Sequence, residues 1–165
     1  MLATLFRTLA GKIPNGLMAY LWSKWAPYRG AGIKVKFISK DFRHVQVEMK
    51  LRWFNRNAVG THFGGSLYAM TDPFYMMMLI QNLGRDFIIW DKAAAIDFKK
   101  PGRGTVRAEF KLSEAQIDEI RSKAKTQGKY IFDLPVSVLD EQNEVVAEVT
   151  KTLYVRDKAS QPKKP

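Results

Sequence analysis

The chain has 165 residues, 46% of them hydrophobic, which suits one globular domain and leaves little room for a second. The absence of cysteine excludes disulfides, thiolate nucleophiles and thiolate metal sites, and with two well-separated histidines, His44 and His62, no metal site is predicted. The net charge is +11, but residues 1–40 contain seven Lys or Arg and no acid, so the basic charge is concentrated towards the ends. Although residues 52–56 combine arginine with aromatics, no recognised nucleic-acid module is present, and nucleic-acid binding is not predicted.

Residues 1–30 are predicted to form an amphipathic helical extension, with one short helix on either side of Pro14-Asn15-Gly16. Their apolar runs are much shorter than the roughly 18 residues of a membrane-spanning helix, and no anchor or signal peptide is predicted. The second helix carries large apolar side chains: Leu17, Tyr20, Leu21, Trp22 and Trp25. We expect this helix to pack across the domain, and contact with a membrane surface is the alternative.

Two strands are predicted next, because apolar and polar residues alternate in two short runs. The apolar members are Ile33, Val35 and Phe37 in the first run, and Val45, Val47, Met49 and Leu51 in the second. A polar turn separates the runs, which indicates an antiparallel hairpin.

The segment from Asn55 to Gly84 leads from a polar loop through the glycine pair Gly64-Gly65 into a long apolar stretch. Its second half is hydrophobic on nearly every side, which is typical of a helix surrounded by other structure. Asp72 lies in the middle, where an ionised carboxylate costs roughly several kcal/mol unless it is paired, hydrogen-bonded or open to a pocket. Asp72 is therefore a candidate functional residue.

The remaining chain predicts four strands, near residues 87–99, 105–112, 130–139 and 145–155, and a surface helix between Ser113 and Gly128. Ser113 and Gln116 form a predicted capping box at the start of that helix. This order predicts an α+β domain in which an antiparallel sheet of about six strands wraps one long central helix. The predicted units are the extension at 1–30, the domain at 31–156 and a basic flexible tail at 157–165.

The element order and the segment from Asn57 to Asp72, NAVGTHFGGSLYAMTD, resemble the hotdog-fold thioesterase superfamily. The segment is similar to the phenylacetate-pathway acyl-CoA thioesterases, in which an Asn precedes a His and a Gly pair, and an acid follows seven residues after the second Gly. The residues THFGGSLYAMTDPF are most similar to a bacterial branch described only as a domain of unknown function. The resemblance covers roughly residues 30–155.

This resemblance implies a mechanism. The backbone amides at Gly65 would point at the thioester carbonyl and stabilise a developing oxyanion. Asp72 would act as general base on water or as nucleophile, usually across a dimer interface from the Gly pair. Asn57 would orient the carbonyl or the water, and His62 would shape the loop.

The sequence departs from the family pattern at two positions. Phe63 is inserted between His62 and the Gly pair, and Pro73 follows Asp72, where it should kink the helix. An alternative follows from the proline: Asp72 could be the N-cap of a shorter helix with Pro73 at its first position, and residues 65–71 would then form a separate turn.

Other residues are candidates for substrate binding. Gly64 and Ser66 flank Gly65 at the start of the helix. Lys99, Lys100 and Arg103 follow the third strand, where family members often meet the phosphates of coenzyme A, although a Lys-rich turn is otherwise typical of a solvated surface.

Two functions are compatible with these observations. The first is hydrolysis of an acyl-CoA or acyl-carrier thioester without a cofactor, and the second is non-catalytic binding of an acyl chain or acyl thioester. The resemblance and the edges of a lone sheet predict a homodimer or a dimer of dimers. The lack of cysteine fits a reducing compartment, and we expect the protein to be cytoplasmic.

Overall fold

The computed structural model describes residues 13–160, so the first N-terminal helical candidate and most of the predicted tail lie outside the described residues. The helices are α1 (Asn15–Ser23), α2 (Ala26–Ala31), α3 (Gly64–Ala69), α4 (Phe74–Leu83) and α5 (Glu114–Gln127). The strands are β1 (Ile33–Ile38), β2 (His44–Lys50), β3 (Phe87–Phe98), β4 (Thr105–Lys111), β5 (Lys129–Leu139) and β6 (Val145–Asp157). A short 3₁₀ helix, Lys158–Ser160, follows β6.

In this part of the chain the strands form one antiparallel six-stranded sheet in the order β1-β2-β4-β5-β6-β3. The predicted α+β class is confirmed, and the predicted strands lie within about two residues of the observed ones. The capping box is also present, since the Ser113 side chain accepts from the Gln116 amide and the Gln116 side chain accepts from the Ser113 amide. No described helix is both long and apolar enough to cross a bilayer.

The core lies between the inner face of the sheet and α4. Most side chains of α4 are buried: Phe74, Tyr75, Met77, Met78, Leu79, Ile80 and Leu83. Inward-facing residues of the strands pack around them because side chains alternate between the two faces of a strand. The buried helix expected from the sequence is therefore the centre of the fold.

The central helical segment runs from Gly64 to Leu83 and is interrupted between α3 and α4. Thr71 and Asp72 end α3 with turn-type bonds to the carbonyls of Tyr68 and Ala69. Pro73 has no amide hydrogen to continue the helical ladder, and the Asp72–Pro73 peptide bond is cis. The predicted kink is therefore a complete break.

The β1 edge of the sheet is covered by α1. The Asn15 side-chain amide donates to the carbonyls of Ile38 and Ser39, and the Ser23 hydroxyl accepts the Val35 amide at 2.9 Å. These bonds satisfy backbone groups that an edge strand otherwise leaves to solvent or to another chain. The N-terminal segment thus completes one side of the domain.

The β3 edge pairs only with β6, and no other described strand lies beside it. A bulge between Asp91 and Ala93 adds one residue to this strand. The bulge changes the phase of the side chains, so that Ile96 and Phe98 face inward opposite Val149 and Ala147.

Candidate active site

The loop before α3 is organised by Asn57. The side-chain amide of Asn57 donates to the Thr61 hydroxyl and to the His62 carbonyl. Its side-chain oxygen accepts the amides of Val59 and Thr61, and its backbone amide donates to the Thr61 carbonyl. Because both polar atoms of the side chain bond within residues 57–62, the contacts of Asn57 hold the loop.

His62 connects this loop to the turn before β4. It is 2% exposed; its amide donates to the Gly102 carbonyl at 3.0 Å, and its Nε2 donates to the Gly104 carbonyl at 3.2 Å. Burial lowers the pKa of His62, while the bond to Gly104 acts in the opposite direction. These contacts support a role for His62 in holding the glycine pair in position.

The glycine pair begins α3. Neither the Gly64 amide nor the Gly65 amide donates a hydrogen bond within the described chain, because the amides of a first helical turn have no preceding helical carbonyl to bond. Two adjacent N–H groups are thus available to a carbonyl oxygen or an oxyanion. Ser66 lies in the first turn of α3 and is 9% exposed.

Two phenylalanine rings lie against the glycine pair. A Cβ atom on Gly65 would lie 2.4 Å from the Phe63 ring, and one on Gly64 would lie 2.9 Å from the Phe98 ring. Both rings are about half exposed, at 56% and 51%. The rings of Phe63 and Phe98 therefore leave no room for a side chain at either position of the glycine pair.

Asp72 lies at the helix break. Its carbonyl accepts a bond from the Tyr28 hydroxyl on α2, and burial together with the Asp72 charge raises the pKa of Tyr28. Its carboxylate lies 2.6 Å from the Lys151 ammonium and is 39% exposed. No side chain caps α4, and its N-cap position is Pro73. The alternative in which Asp72 caps this helix is therefore not what the structure shows.

Lys151 is a charged residue at an inward-facing position of β6, and it is 1% exposed. Besides Asp72, its ammonium contacts the Tyr68 hydroxyl at 3.4 Å and lies 3.6 Å from Asp91 Oδ1. Burial lowers the pKa of Lys151, but the bond to Asp72 and the charges of Asp91 and Asp72 outweigh this and raise it. Lys151 is therefore charged at neutral pH.

Asp91, on β3, is the second carboxylate beside this ammonium. Its side chain is 18% exposed, and its Oδ1 is buried without a hydrogen-bond partner in the described chain. Burial raises the pKa of Asp91 to about 6, with the Asp72 charge adding to the shift and the Lys151 charge opposing it. Asp72, Lys151 and Asp91 form what we call the charge cluster.

Gly65 lies at the start of α3, and Asp72 lies beyond its end, in the break before α4. The two residues are seven positions apart, and a helical rise of 1.5 Å per residue over that length corresponds to roughly 10 Å. A thioester bound at the amides of Gly65 would therefore be out of reach of the same chain's Asp72.

Lys99 and Lys100 have acidic partners. Lys99 bonds to Asp97 and Glu148, and Lys100 to Asp140 and Glu144. The exposed Arg103 side chain has no ion-pair or hydrogen-bond partner in the described chain. Of the three basic residues, Arg103 has the charge most available to a phosphate.

A cavity of about 480 Å³ opens between β4 and β5, and its lining includes Arg107, Glu109 and Ser137. None of the predicted site residues lines it. Within residues 13–160, no group of three or more His, Asp or Glu side chains is arranged to hold a metal ion.

Lys151 and Asp91, which were not predicted as site residues, do have a signal in the sequence. Lys151 shares the alternation phase of Val149 and Leu153, and Asp91 that of Ile89, so each is a charged residue in an apolar phase. Nothing in the sequence showed that the two would meet at one ammonium, because that depends on strand pairing.

Comparisons with known proteins identify the family. The model of a family described as a domain of unknown function (DUF4442) matches residues 15–155. No curated protein sequence matches the chain. Among solved structures, a protein of unknown function and probable thioesterase from Pseudomonas aeruginosa, PA5026, is 24% identical with a TM-score of 0.77, over 88% of this chain and 97% of that one.

Two further solved structures share the fold. The thioesterase HI1161 from Haemophilus influenzae has a TM-score of 0.62 at 13% identity, over 88% of this chain and 92% of that one. The PaaI protein of the E. coli phenylacetic acid degradation operon has a TM-score of 0.56 at 14% identity, over 86% of this chain and 95% of that one. At these identities the likeness shows the hotdog fold, in agreement with the resemblance noted in the sequence. The chain therefore belongs to the DUF4442 family, and it has the fold of these hotdog structures.

Proposed function

We propose that the protein hydrolyses an acyl thioester whose thiol part is coenzyme A or an acyl carrier. The observation that carries this proposal is the Asp72 carboxylate, which Lys151 holds at the helix break while 39% of the side chain stays exposed to water or substrate. The free amides of Gly64 and Gly65 supply donors for an oxyanion. The description of neighbouring structures as thioesterases supports the same chemistry.

In the proposed reaction Asp72 takes a proton from a water molecule, and the water oxygen attacks the thioester carbon. The carbonyl oxygen becomes an oxyanion that accepts bonds from the glycine amides. When the C–S bond breaks, the sulfur leaves as a thiolate and receives the proton from Asp72. As a nucleophile, Asp72 would instead form an acyl-aspartate anhydride that water then cleaves.

The reaction as proposed uses two copies of the chain. Gly65 and Asp72 are about 10 Å apart within one chain, so the amides of one copy would serve the carboxylate of the other. The β3 edge supports this arrangement: residues 92–95 are exposed, and Trp90 and Phe98 are 40% and 51% exposed. We propose a homodimer in which two β3 strands pair, and a dimer of dimers would join two such pairs.

Arg103 is the proposed contact for the phosphates of coenzyme A. Its turn is tied to the glycine loop through His62, so a phosphate at Arg103 would lie on the same side of the domain as Gly65. Lys99 and Lys100 could bind the phosphates only if they gave up the ion pairs with their acidic partners.

One observation favours the alternative, a protein that binds acyl thioesters without hydrolysing them. An ammonium 2.6 Å from Asp72 stabilises the ionised carboxylate and so weakens it as a base or nucleophile. Under this alternative the charge cluster would be a structural element behind the ligand.

The test is a panel of acyl-CoA thioesters from short to long chains, with release of free thiol as the signal. We expect turnover by the wild type, loss of about 100-fold or more in Asp72→Asn, and retained binding of the same acyl-CoA by calorimetry. Asp133→Asn, an exposed carboxylate on β5, is the matched control and should keep full activity.

A wild type that binds the panel without releasing thiol would instead establish the binding protein. Equal turnover in the wild type and in Asp72→Asn would remove Asp72 from the mechanism.

The exposed side of α1, together with Trp25 just after it, is proposed to contact a membrane surface. Leu17, Tyr20, Leu21 and Trp25 are each 42–57% exposed, and no acid occurs among residues 1–40. The wild type should co-sediment with anionic vesicles, and most of a Leu21→Gln/Trp25→Gln variant should stay in the supernatant. The cytoplasmic location stays a prediction.

A further inference from the structure

Two carboxylates on different elements share one buried ammonium in this fold. Asp72 lies 2.6 Å from Lys151 Nζ, and Asp91 Oδ1 lies 3.6 Å from the same atom. The Lys151 side chain is 1% exposed, so its ammonium is almost fully shielded from water and interacts with the two acids instead. The proposed mechanism uses Asp72 and leaves Lys151 and Asp91 without a role.

The charges of the cluster decide whether Asp72 can accept a proton. With Asp72 ionised and Lys151 protonated, the close pair has no net charge. An ionised Asp91 gives the cluster a net charge of −1, which favours uptake of one proton. A neutral Asp91 leaves Asp72 with the full attraction of Lys151.

Asp91 is placed so that its own charge depends on the Lys151 ammonium. Its Oδ1 is buried and has no hydrogen-bond partner in residues 13–160, so the Lys151 charge is the interaction that supports its ionised form. It also adjoins the bulge in β3, a distortion that often aims side chains at active sites.

We propose that Asp91 is a positioning residue of the active site, which offsets the Lys151 charge and so keeps Asp72 basic enough to take a proton from water. This inference rests on the proposed thioesterase function. Asp91 acts through Lys151 and need not touch the substrate. The proton taken from water resides on Asp72 until the thiolate accepts it.

The groups around Asp91 determine the pH range in which its charge changes, and kcat should change in the same range. The titratable groups around Asp91 and its partners are Lys151 on β6, Asp72 at the helix break, Tyr68 on α3 and Tyr28 on α2. Burial and the Asp72 charge raise the pKa of Asp91 to about 6, against the pull of Lys151. Because the acids are coupled, the pH profile reports a value that belongs to the pair.

The experiment compares kcat and KM between pH 5 and 8 for the wild type and Asp91→Asn on the best thioester of the panel. In the wild type, kcat should rise as the pH increases through about 6. In Asp91→Asn we expect this inflection to be lost and kcat at pH 7.5 to fall about 100-fold, with KM changed less than threefold. Asp133→Asn, which changes an exposed acid of β5, is the control and should match the wild type.

A double variant tests the charge balance itself. Asp91→Asn/Lys151→Met leaves Asp72 as the one charge of the cluster, so kcat should recover at least about tenfold relative to Asp91→Asn. If Asp91 only stabilised the fold, removing Lys151 as well would lower activity further. Circular dichroism checks that each variant is folded, and if the double variant does not fold, the two pH profiles decide.

The outcomes separate the two proposals. Turnover by the wild type with unchanged kcat and pH profile in Asp91→Asn overturns the role of Asp91 and leaves the thioesterase proposal standing. Absence of turnover on the whole panel overturns the thioesterase proposal, and the role of Asp91 with it.

Discussion

The two edges of the sheet differ in whether another element of the described chain covers them. At β1, a helix from the same chain lies along the strand, and Asn15 and Ser23 bond to its backbone. At β3, the outer side of the strand has no described strand next to it, and residues 92–95 are exposed. Both are edge strands, yet among residues 13–160 only β1 has a further element of the same chain along its outer side.

The difference indicates which part of the molecule serves folding and which serves function. The β1 edge has its hydrogen bonds satisfied, so changes there should alter stability alone. The β3 edge carries Asp91, lies next to Lys151 on β6, and faces the glycine pair through Phe98. Changes there should alter assembly and activity, and the predictions that follow test this division.

The largest loss of stability is expected from removing the buried ammonium of Lys151, which lies on β6 next to β3. Lys151→Met leaves Asp72 and Asp91 close together without a cation, and breaking a buried ion pair in this way costs about 3–5 kcal/mol of unfolding free energy. Urea denaturation measures the loss. Lys129→Met, an exposed lysine on β5, should change stability by less than about 0.5 kcal/mol, and a similar loss in both variants would contradict the prediction.

The second effect concerns assembly. Ala95→Lys places a charge on the exposed β3 edge and should weaken the proposed dimer about 100-fold, or by about 3 kcal/mol, because edge lysines oppose strand pairing. Sedimentation equilibrium measures the dissociation constant. Phe37→Lys makes a comparable change on the covered β1 edge and should leave it unaltered. If the Phe37 variant dissociates and the Ala95 variant does not, the roles of the two edges are reversed.

The third effect is a pH dependence of stability. The folded pKa of Asp91 is about 6 and its ordinary value is 3.8, so the folded protein binds the proton more tightly and loses stability as the pH rises from about 4 to about 6. Asp91→Asn removes this pH-dependent contribution to the free energy of unfolding. The stability of the variant relative to the wild type should therefore increase by about 2 kcal/mol between pH 4 and pH 7. Urea denaturation at several pH values tests it, and a constant difference would refute the raised pKa.

The smallest effect is expected at the covered edge. Ser23→Ala removes the acceptor of the Val35 amide and should cost about 1 kcal/mol. Turnover and dimerisation should not change. Ser122→Ala, at an exposed position of α5, should be nearly neutral, and equal losses in the two variants would mean that the bond to β1 contributes little.

The sequence predicted the sheet and the buried helix well because both have strong periodic signals. The alternation in β4, β5 and β6 and the capping box of Ser113 depend on neighbours in the chain, which a sequence displays directly. The helix break was predicted in place but not in degree, since Pro73 signals an interruption without fixing its geometry.

The site was harder to predict because its contacts join distant positions. Asp72, Lys151 and Asp91 meet only through packing of the helix on the sheet and pairing of β3 with β6. The phase change after Asp91 also hides its orientation, because the bulge interrupts the alternation that runs from Phe87 to Ile96. A pattern with one period cannot show a contact that depends on such a shift.

The helix along β1 also limits how many copies can join. A sheet with two free edges can add neighbours on both sides and extend into a filament. Here α1 blocks one side, so a second copy added at β3 presents its own blocked side outward. Edge-to-edge growth therefore stops at two chains, and a larger particle has to form through the faces of the sheet.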